Sequence, residues 1–116
     1  MTLKLREADI LKACLKLMRV HPYVVFVFRA NSGAQLIDGK RWVKFGFVGM
    51  SDLLAMARSG RFLAVECKAK GKRASEDQQE FLDSVNSGGG LGLCVDNVGD
   101  LIRRLDSEWT TYLKGK

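Results

Sequence analysis

The chain has 116 residues, room for one domain and little more, and area scaling allows about two-thirds of the extended chain's surface to be buried without staples. Hydrophobic residues make up 47% and charged residues 28%, with a single proline, a balance that excludes disorder, collagen-like repeats and low-complexity tails. Nineteen Lys and Arg against thirteen Asp and Glu leave a net charge of +6, which favours a polyanionic partner.

Apolar runs such as Val24-Val25-Phe26-Val27-Phe28 are too short to cross a bilayer. Arg6, Glu7 and Asp9 interrupt the N-terminal stretch that a signal peptide would need. No membrane association is expected, and a cytoplasmic location is. Cys14, Cys67 and Cys94 are odd in number, lack CxxC spacing and lie in apolar runs, the pattern of reduced thiols packed as small core hydrophobes.

In chain order, Leu3, Leu11, Cys14, Leu15 and Met18 recur at helical spacing with Lys12, Lys16 and Arg19 opposite, which predicts an amphipathic helix over about residues 4–20. His21-Pro22 ends it. The β-branched and aromatic run Tyr23–Phe28 reads as a buried strand. Asp38-Gly39 is a hairpin turn signal between Ala34–Ile37 and Arg41–Phe45. Strands are expected over Ser51–Ala57 and Arg61–Ala69, joined tightly at Ser59-Gly60. Ser75-Glu76-Asp77-Gln78 is a capping box opening a helix over about 76–86. Leu91–Val95 then reads as a strand and Val98–Leu105 as a short helix, with Trp109, Tyr112 and Leu113 in a tail. With no repeat, linker or boundary, residues 1–116 read as one α/β domain on a central mixed sheet flanked by helices.

Strand periodicity puts Phe62, Ala64, Glu66 and Lys68 on one face and Leu63, Val65 and Cys67 on the other. Glu66 and Lys68 thus project together, about 6.6 Å apart along an otherwise apolar strand, and a buried ionic group there needs a partner or a task. The preceding hairpin can return Asp52 beside Glu66. Two converging carboxylates make an oxygen-rich site suited to Mg²⁺ or Mn²⁺, with a lysine to orient water or offset charge. A cross-strand salt-bridge network is the structural alternative. On a helical wheel Cys14, Met18, Leu11 and Leu3 fall within about 40° of Glu7, so Glu7 should face inward; the alternative is a frayed first turn in which it only favours the helix N-terminus.

Glu7 on a leading helix, Gly49-Met50-Ser51-Asp52-Leu53, Glu66-Cys67-Lys68 and then Ser75-Glu76-Asp77-Gln78 together resemble the VRR-NUC family of the PD-(D/E)XK nuclease superfamily. The resemblance implies a restriction-endonuclease-like fold and Mg²⁺- or Mn²⁺-dependent hydrolysis of DNA phosphodiesters to 5′-phosphate and 3′-hydroxyl ends. It also implies Asp52, Glu66 and the Cys67 backbone carbonyl as metal ligands, Lys68 near the attacking water, and Glu7 and Gln78 completing the site. Ser51 stands where the superfamily name has proline, a backbone preference that contributes no ligand. Gln78 already has a reason to exist at N3 of its capping box, and the two roles can coexist. As a stand-alone domain the chain resembles the small nucleases of phages and the archaeal-type Holliday junction resolvases, which implies a bacterial or phage-infected host cell, branched DNA as substrate and a homodimer. Flap or restriction-like cleavage and a non-catalytic DNA-binding module are the rival readings.

Arg29 and Asn31 resemble the family's polar positions after the first strand, although Asn-Ser-Gly is also an ordinary turn. Lys40, Arg41, Lys44, Lys70, Lys72 and Arg73 are the candidate phosphate contacts, with a solvated surface as their alternative. No base-reading element is visible, so binding should rest on backbone charge and nucleic-acid shape. One histidine, ahead of a proline, is poor material for a zinc site or a catalytic triad. Val98, Leu101, Ile102 and Leu105 with Trp109, Tyr112 and Leu113 are either a dimer contact or the closure of the monomer's own core.

Overall fold

A computed structural model describes residues 5–30 and 49–116 and, as backbone alone, the strands Ala34–Ile37 and Arg41–Lys44. The elements run α1 (Glu7–Val20), β1 (Val24–Arg29), β2 (Ala34–Ile37), β3 (Arg41–Lys44), β4 (Leu53–Ala57), β5 (Phe62–Cys67), α2 (Glu76–Ser87), β6 (Leu91–Val95) and α3 (Val98–Lys114). Strands β1, β4, β5 and β6 form one sheet in that order, and β2 pairs with β3 in a separate two-stranded ladder. The β1/β4 and β4/β5 pairs are antiparallel, while β5 and β6 are parallel. That parallel pair requires the α2 crossover between them.

The core lies mainly on one side of this mixed sheet. Ile10, Leu11, Cys14 and Met18 of α1 and Leu101 and Leu105 of α3 bury themselves against Leu53, Ala55, Leu63, Val65, Leu91 and Leu93. On the opposite face α2 sets Leu82 against Leu54 and Ala64. The alternation of β5 follows directly, with Leu63, Val65 and Cys67 toward α1 and α3, and Ala64 and Glu66 toward α2.

Four expectations change, the fourth at the start of α1. The last helix does not stop at Leu105 but continues to Lys114. Trp109 and Tyr112 pack on the core and sit 6.4 and 6.2 Å from the Tyr23 ring. Their ring stack fixes the extra turns, and Val98, Leu101, Leu105, Trp109 and Tyr112 help close the monomer's own core while Ile102 and Leu113 stay exposed. Tyr23–Phe28 is an edge strand, not a buried one. Only Tyr23, Val24 and the Val27 side meet the core, while Phe26 and Phe28 remain half-exposed. Cys94 is exposed, unlike Cys14 and Cys67, because it lies on the α2 face beside Glu66 in the β5/β6 register.

Helix α1 begins at Glu7, three residues later than its periodicity suggests, with Asp9 accepting from the Arg6 backbone N–H. At its other end, buried His21 takes a hydrogen bond from the Tyr23 N–H at Nδ1 and meets Asp106 of α3 through Nε2 at 2.8 Å. The histidine therefore fastens α1 to α3.

Candidate active site

Register assembles the site. Leu53 pairs with Val65, so the residues just outside that pair, Asp52 and Glu66, meet on the α2 face. Asp52 Oδ2 accepts the Cys67 backbone N–H at 2.9 Å, which locks the carboxylate across the two strands. Glu66 is only 2% exposed. Its Oε1 accepts from Gln78 Nε2 at 2.9 Å, and its Oε2 is buried with no hydrogen-bond partner. Burial, and after it the neighbouring Asp52 carboxyl, raise the Glu66 carboxyl to about 8 against the opposing pull of Lys68.

Gln78 performs two tasks with one amide. Its Oε1 accepts from the Ser75 N–H at 2.8 Å, closing the capping box, while Ser75 Oγ accepts from the Gln78 N–H. The remaining amide N–H₂ is thereby aimed at Glu66. The spacing works only if the α2 start lies close to the turn that leads into β4, and Gly49 allows that approach. At φ +82° it has the left-handed conformation open to glycine, and a Cβ there would fall 2.3 Å from the Asp77 carbonyl oxygen.

Lys68 Nζ stands 4.0 Å from Glu66 Oε1 and 4.0 Å from Glu7 Oε1. These separations are too long for direct hydrogen bonds and long enough for a water between the groups. Glu7 therefore points at the site, but its side chain is half-exposed and not buried. Its place in the first turn carries it past the end of the core stripe that Ile10, Leu11 and Cys14 occupy. Cys67 faces away, its thiol hydrogen-bonded to that of Cys14, a contact that together with burial holds it above the usual thiol range.

The other expected residues fall in three groups. Arg29 is exposed at the end of β1, next to the Ala30 N–H that donates to the Asp52 carbonyl at 2.8 Å. Lys70, Lys72 and Arg73 are exposed in the β5–α2 loop, tied down where the Gly71 N–H donates to Asp96 at 3.0 Å. Asn31 and Lys40 lie outside the described residues, as do the side chains of Arg41 and Lys44. Two residues of the Gly49-Met50-Ser51-Asp52-Leu53 motif have structural roles that the sequence reading did not assign. Gly49 carried a signal, a glycine ahead of a strand that bears a carboxylate. Ser51, buried with an unpartnered hydroxyl, carried none.

A hollow of about 940 Å³ lies beside the site, between the α2 N-terminus and the end of β6. Glu76, Glu80, Asp83, Asp96 and Asp100 outnumber Lys72 and Arg73 in its lining, so it does not suit a phosphate backbone. Among the described residues no three His, Cys, Asp or Glu side chains converge on one point. A divalent ion here would rest on two carboxylates, a main-chain carbonyl and water, a donor set that suits Mg²⁺, which dehydrates reluctantly. The orphaned Glu66 oxygen fits such an ion.

Residues 28–94 match the VRR-NUC domain, a span that contains Asp52, Glu66, Lys68 and Gln78 and leaves out α1 with Glu7. No curated protein and no solved structure matches the chain. Among the described residues no helix is long and apolar enough to cross a membrane. The domain match covers more than half the chain, and the mixed sheet with helices on both faces is consistent with a restriction-endonuclease-like fold: this protein belongs to the VRR-NUC family of nucleases.

Proposed function

We propose that the protein is a single-domain, Mg²⁺- or Mn²⁺-dependent deoxyribonuclease that cuts branched DNA, four-way junctions above all. The observation that carries this reading is the buried, unpartnered Glu66 Oε2 beside Asp52. A buried carboxyl oxygen without a partner is costly to keep, and a cation that takes the proton's place offsets that cost. Asp52, Glu66 and the Cys67 carbonyl would hold the ion, which supplies Lewis-acid polarisation of the phosphate and a lowered water pKa.

The chain's own residues do the rest. Gln78 fixes the Glu66 rotamer, and the Cys67 N–H fixes Asp52. Lys68 donates to the attacking oxygen and offsets charge on the phosphorane, while Glu7 holds the ammonium in place. The products are 5′-phosphate and 3′-hydroxyl ends. Arg29, Asn31, Lys40, Arg41, Lys44, Lys70, Lys72 and Arg73 neutralise the DNA backbone, so affinity falls steeply with salt. Resolving a junction needs two opposed nicks, hence a C₂ homodimer. Because Leu101 and Leu105 are buried within the monomer, only Ile102 and Leu113 of α3's apolar residues stay exposed enough to join that contact. The setting is DNA repair or recombination in the cytoplasm of a bacterium or a phage-infected cell.

The test is incubation with a labelled four-way junction and with linear duplex in Mg²⁺, Mn²⁺ or EDTA. Paired nicks in the junction alone, abolished by EDTA, are expected. Equal cutting of both substrates overturns the junction preference, and cutting in EDTA overturns the metal dependence. Light scattering should report about twice 12.9 kDa; a monomer that still makes paired nicks overturns the dimer. Lys68→Ala should slow the chemical step by orders of magnitude yet leave Mn²⁺ affinity intact, since a protonated lysine has no lone pair for the ion.

A further inference from the structure

The face that carries the carboxylates continues, two rows further along the strands, into exposed aromatic rings. Phe28 pairs with Leu54 and Phe26 with Met56, which in turn pairs with Phe62. Alternation puts all of these on the Asp52/Glu66 side. Helix α2 covers the β5 and β6 part of this face, where Leu82 meets Ala64. Beyond it Phe26 (51%), Phe28 (50%), Phe62 (44%) and Met56 (37%) stay open. Each row is about 6.8 Å from the next, so Phe28 lies one row from the carboxylates and Phe26 two.

We propose that Phe26 and Phe28, with Phe62 behind them, form a stacking platform for unpaired bases, so that the strand entering the Asp52/Glu66 site is single-stranded on one side of the cut. This rests on the metal-dependent nuclease reading above and, within branched DNA, favours flap-like substrates with an unpaired strand over fully paired four-way junctions. Continuity with the carboxylates is the first argument. The strand that presents the rings also ends in exposed Arg29, which puts a phosphate partner next to the base partners. Size is the second. At about 200 Å² per large side chain, the four exposed fractions amount to roughly 350 Å², well short of the roughly 800 Å² per partner of an ordinary protein interface and ample for a few bases. The ring spacing is the third, because a 6.8 Å step is twice the roughly 3.4 Å stacked-base repeat. Bases held by both rings are therefore splayed apart, as single strands are on aromatic side chains. Paired bases in a duplex do not expose their faces in this way.

The experiment measures binding in EDTA, without cleavage, to a labelled oligothymidine strand and to an abasic strand of the same length. Wild type should prefer oligothymidine. Phe28→Ala and Phe26→Ala should each weaken oligothymidine binding about ten-fold and leave abasic binding and its salt dependence unchanged, while Phe28→Trp restores the preference. Equal affinity of wild type for both strands overturns the proposal, as does an equal loss on both strands in the alanine variants. So does an alanine variant that converts a dimer to a monomer in light scattering while binding oligothymidine normally, which would assign the face to a second copy. Mn²⁺ added to the protein with a labelled branched DNA that carries an unpaired strand separates the two readings: base-dependent oligothymidine binding without cleavage of that branched DNA upholds the platform and refutes the nuclease reading alone.

Discussion

The two faces of β5 differ in what they ask of their side chains. Toward α1 and α3, Leu63, Val65 and Cys67 are at most 1% exposed in a continuous apolar cluster. Toward α2, Ala64 packs on Leu82, Glu66 is buried with one oxygen unpartnered, and Phe62 is open. One strand thus has a face built for stability and a face that leaves polar and apolar groups unsatisfied. Groups kept at a cost mark the face where ligands belong.

The sharpest way to break this comparison is to remove the carboxylates. Asp52→Ala or Glu66→Ala should lower cleavage at least a thousand-fold in a gel assay with metal present, while DNA binding stays near normal or tightens as negative charge is lost. Surviving cleavage in either variant would remove the α2 face from the chemistry. On the opposite face Leu63→Ala should cost about 2–5 kcal/mol in urea unfolding, whereas Phe26→Ala should cost less than about 1 kcal/mol, since its ring is already half in water. Equal costs would mean that the rings are core.

Gly49→Ala tests what joins the faces. The φ +82° strain and the clash with the Asp77 carbonyl should displace the α2 start, costing about 1–3 kcal/mol and releasing Gln78 from Glu66. Activity should fall further than stability. If cleavage is unchanged at lower stability, Gln78 does not matter to the site.

Glu66 also makes a pH prediction with a definite sign. Its carboxyl is raised from 4.5 to about 8 by burial and Asp52, so the folded state holds a proton that the unfolded chain has already released. Its contribution to stability is therefore complete below about pH 4.5 and is lost as pH rises toward 8, with a slope of at most about 1.4 kcal/mol per pH unit. Melting in EDTA should show this decline, Glu66→Gln should flatten it, and stabilisation by Mn²⁺ should grow with pH as the ion takes the proton's place. A wild-type curve as flat as that of Glu66→Gln would contradict the burial of the charge. The mildest test is chemical: a maleimide should label Cys94 in the folded protein and spare Cys14 and Cys67.

Much of this was legible in the chain because it depends on local period. The two-residue repeat of Phe62–Cys67 assigned each side chain to its face, the Ser75-x-x-Gln78 box marked the α2 start, and the Ser59-Gly60 turn implied that β4 and β5 return on each other. Glu7 was expected to face inward and points at Lys68 from a half-exposed position, since a helical wheel gives direction and not where the helix begins. Cys94 was misread because a strand's composition does not say which face a helix covers.

The sequence by itself determined the elements, the pairing of Glu66 with Lys68 and the motif order that carries the family, all set by short-range periodicity and turn chemistry. The tertiary structure decided what depends on residues far apart in the chain. Helix α3 extends to Lys114 because Trp109 and Tyr112 find Tyr23, and Gln78 reaches Glu66 because Gly49 admits the α2 N-terminus. The rings of β1 stay exposed because α2 is aligned with β5 and β6 and does not extend over β1. Periodicity fixes where a side chain points, and only packing fixes what it meets.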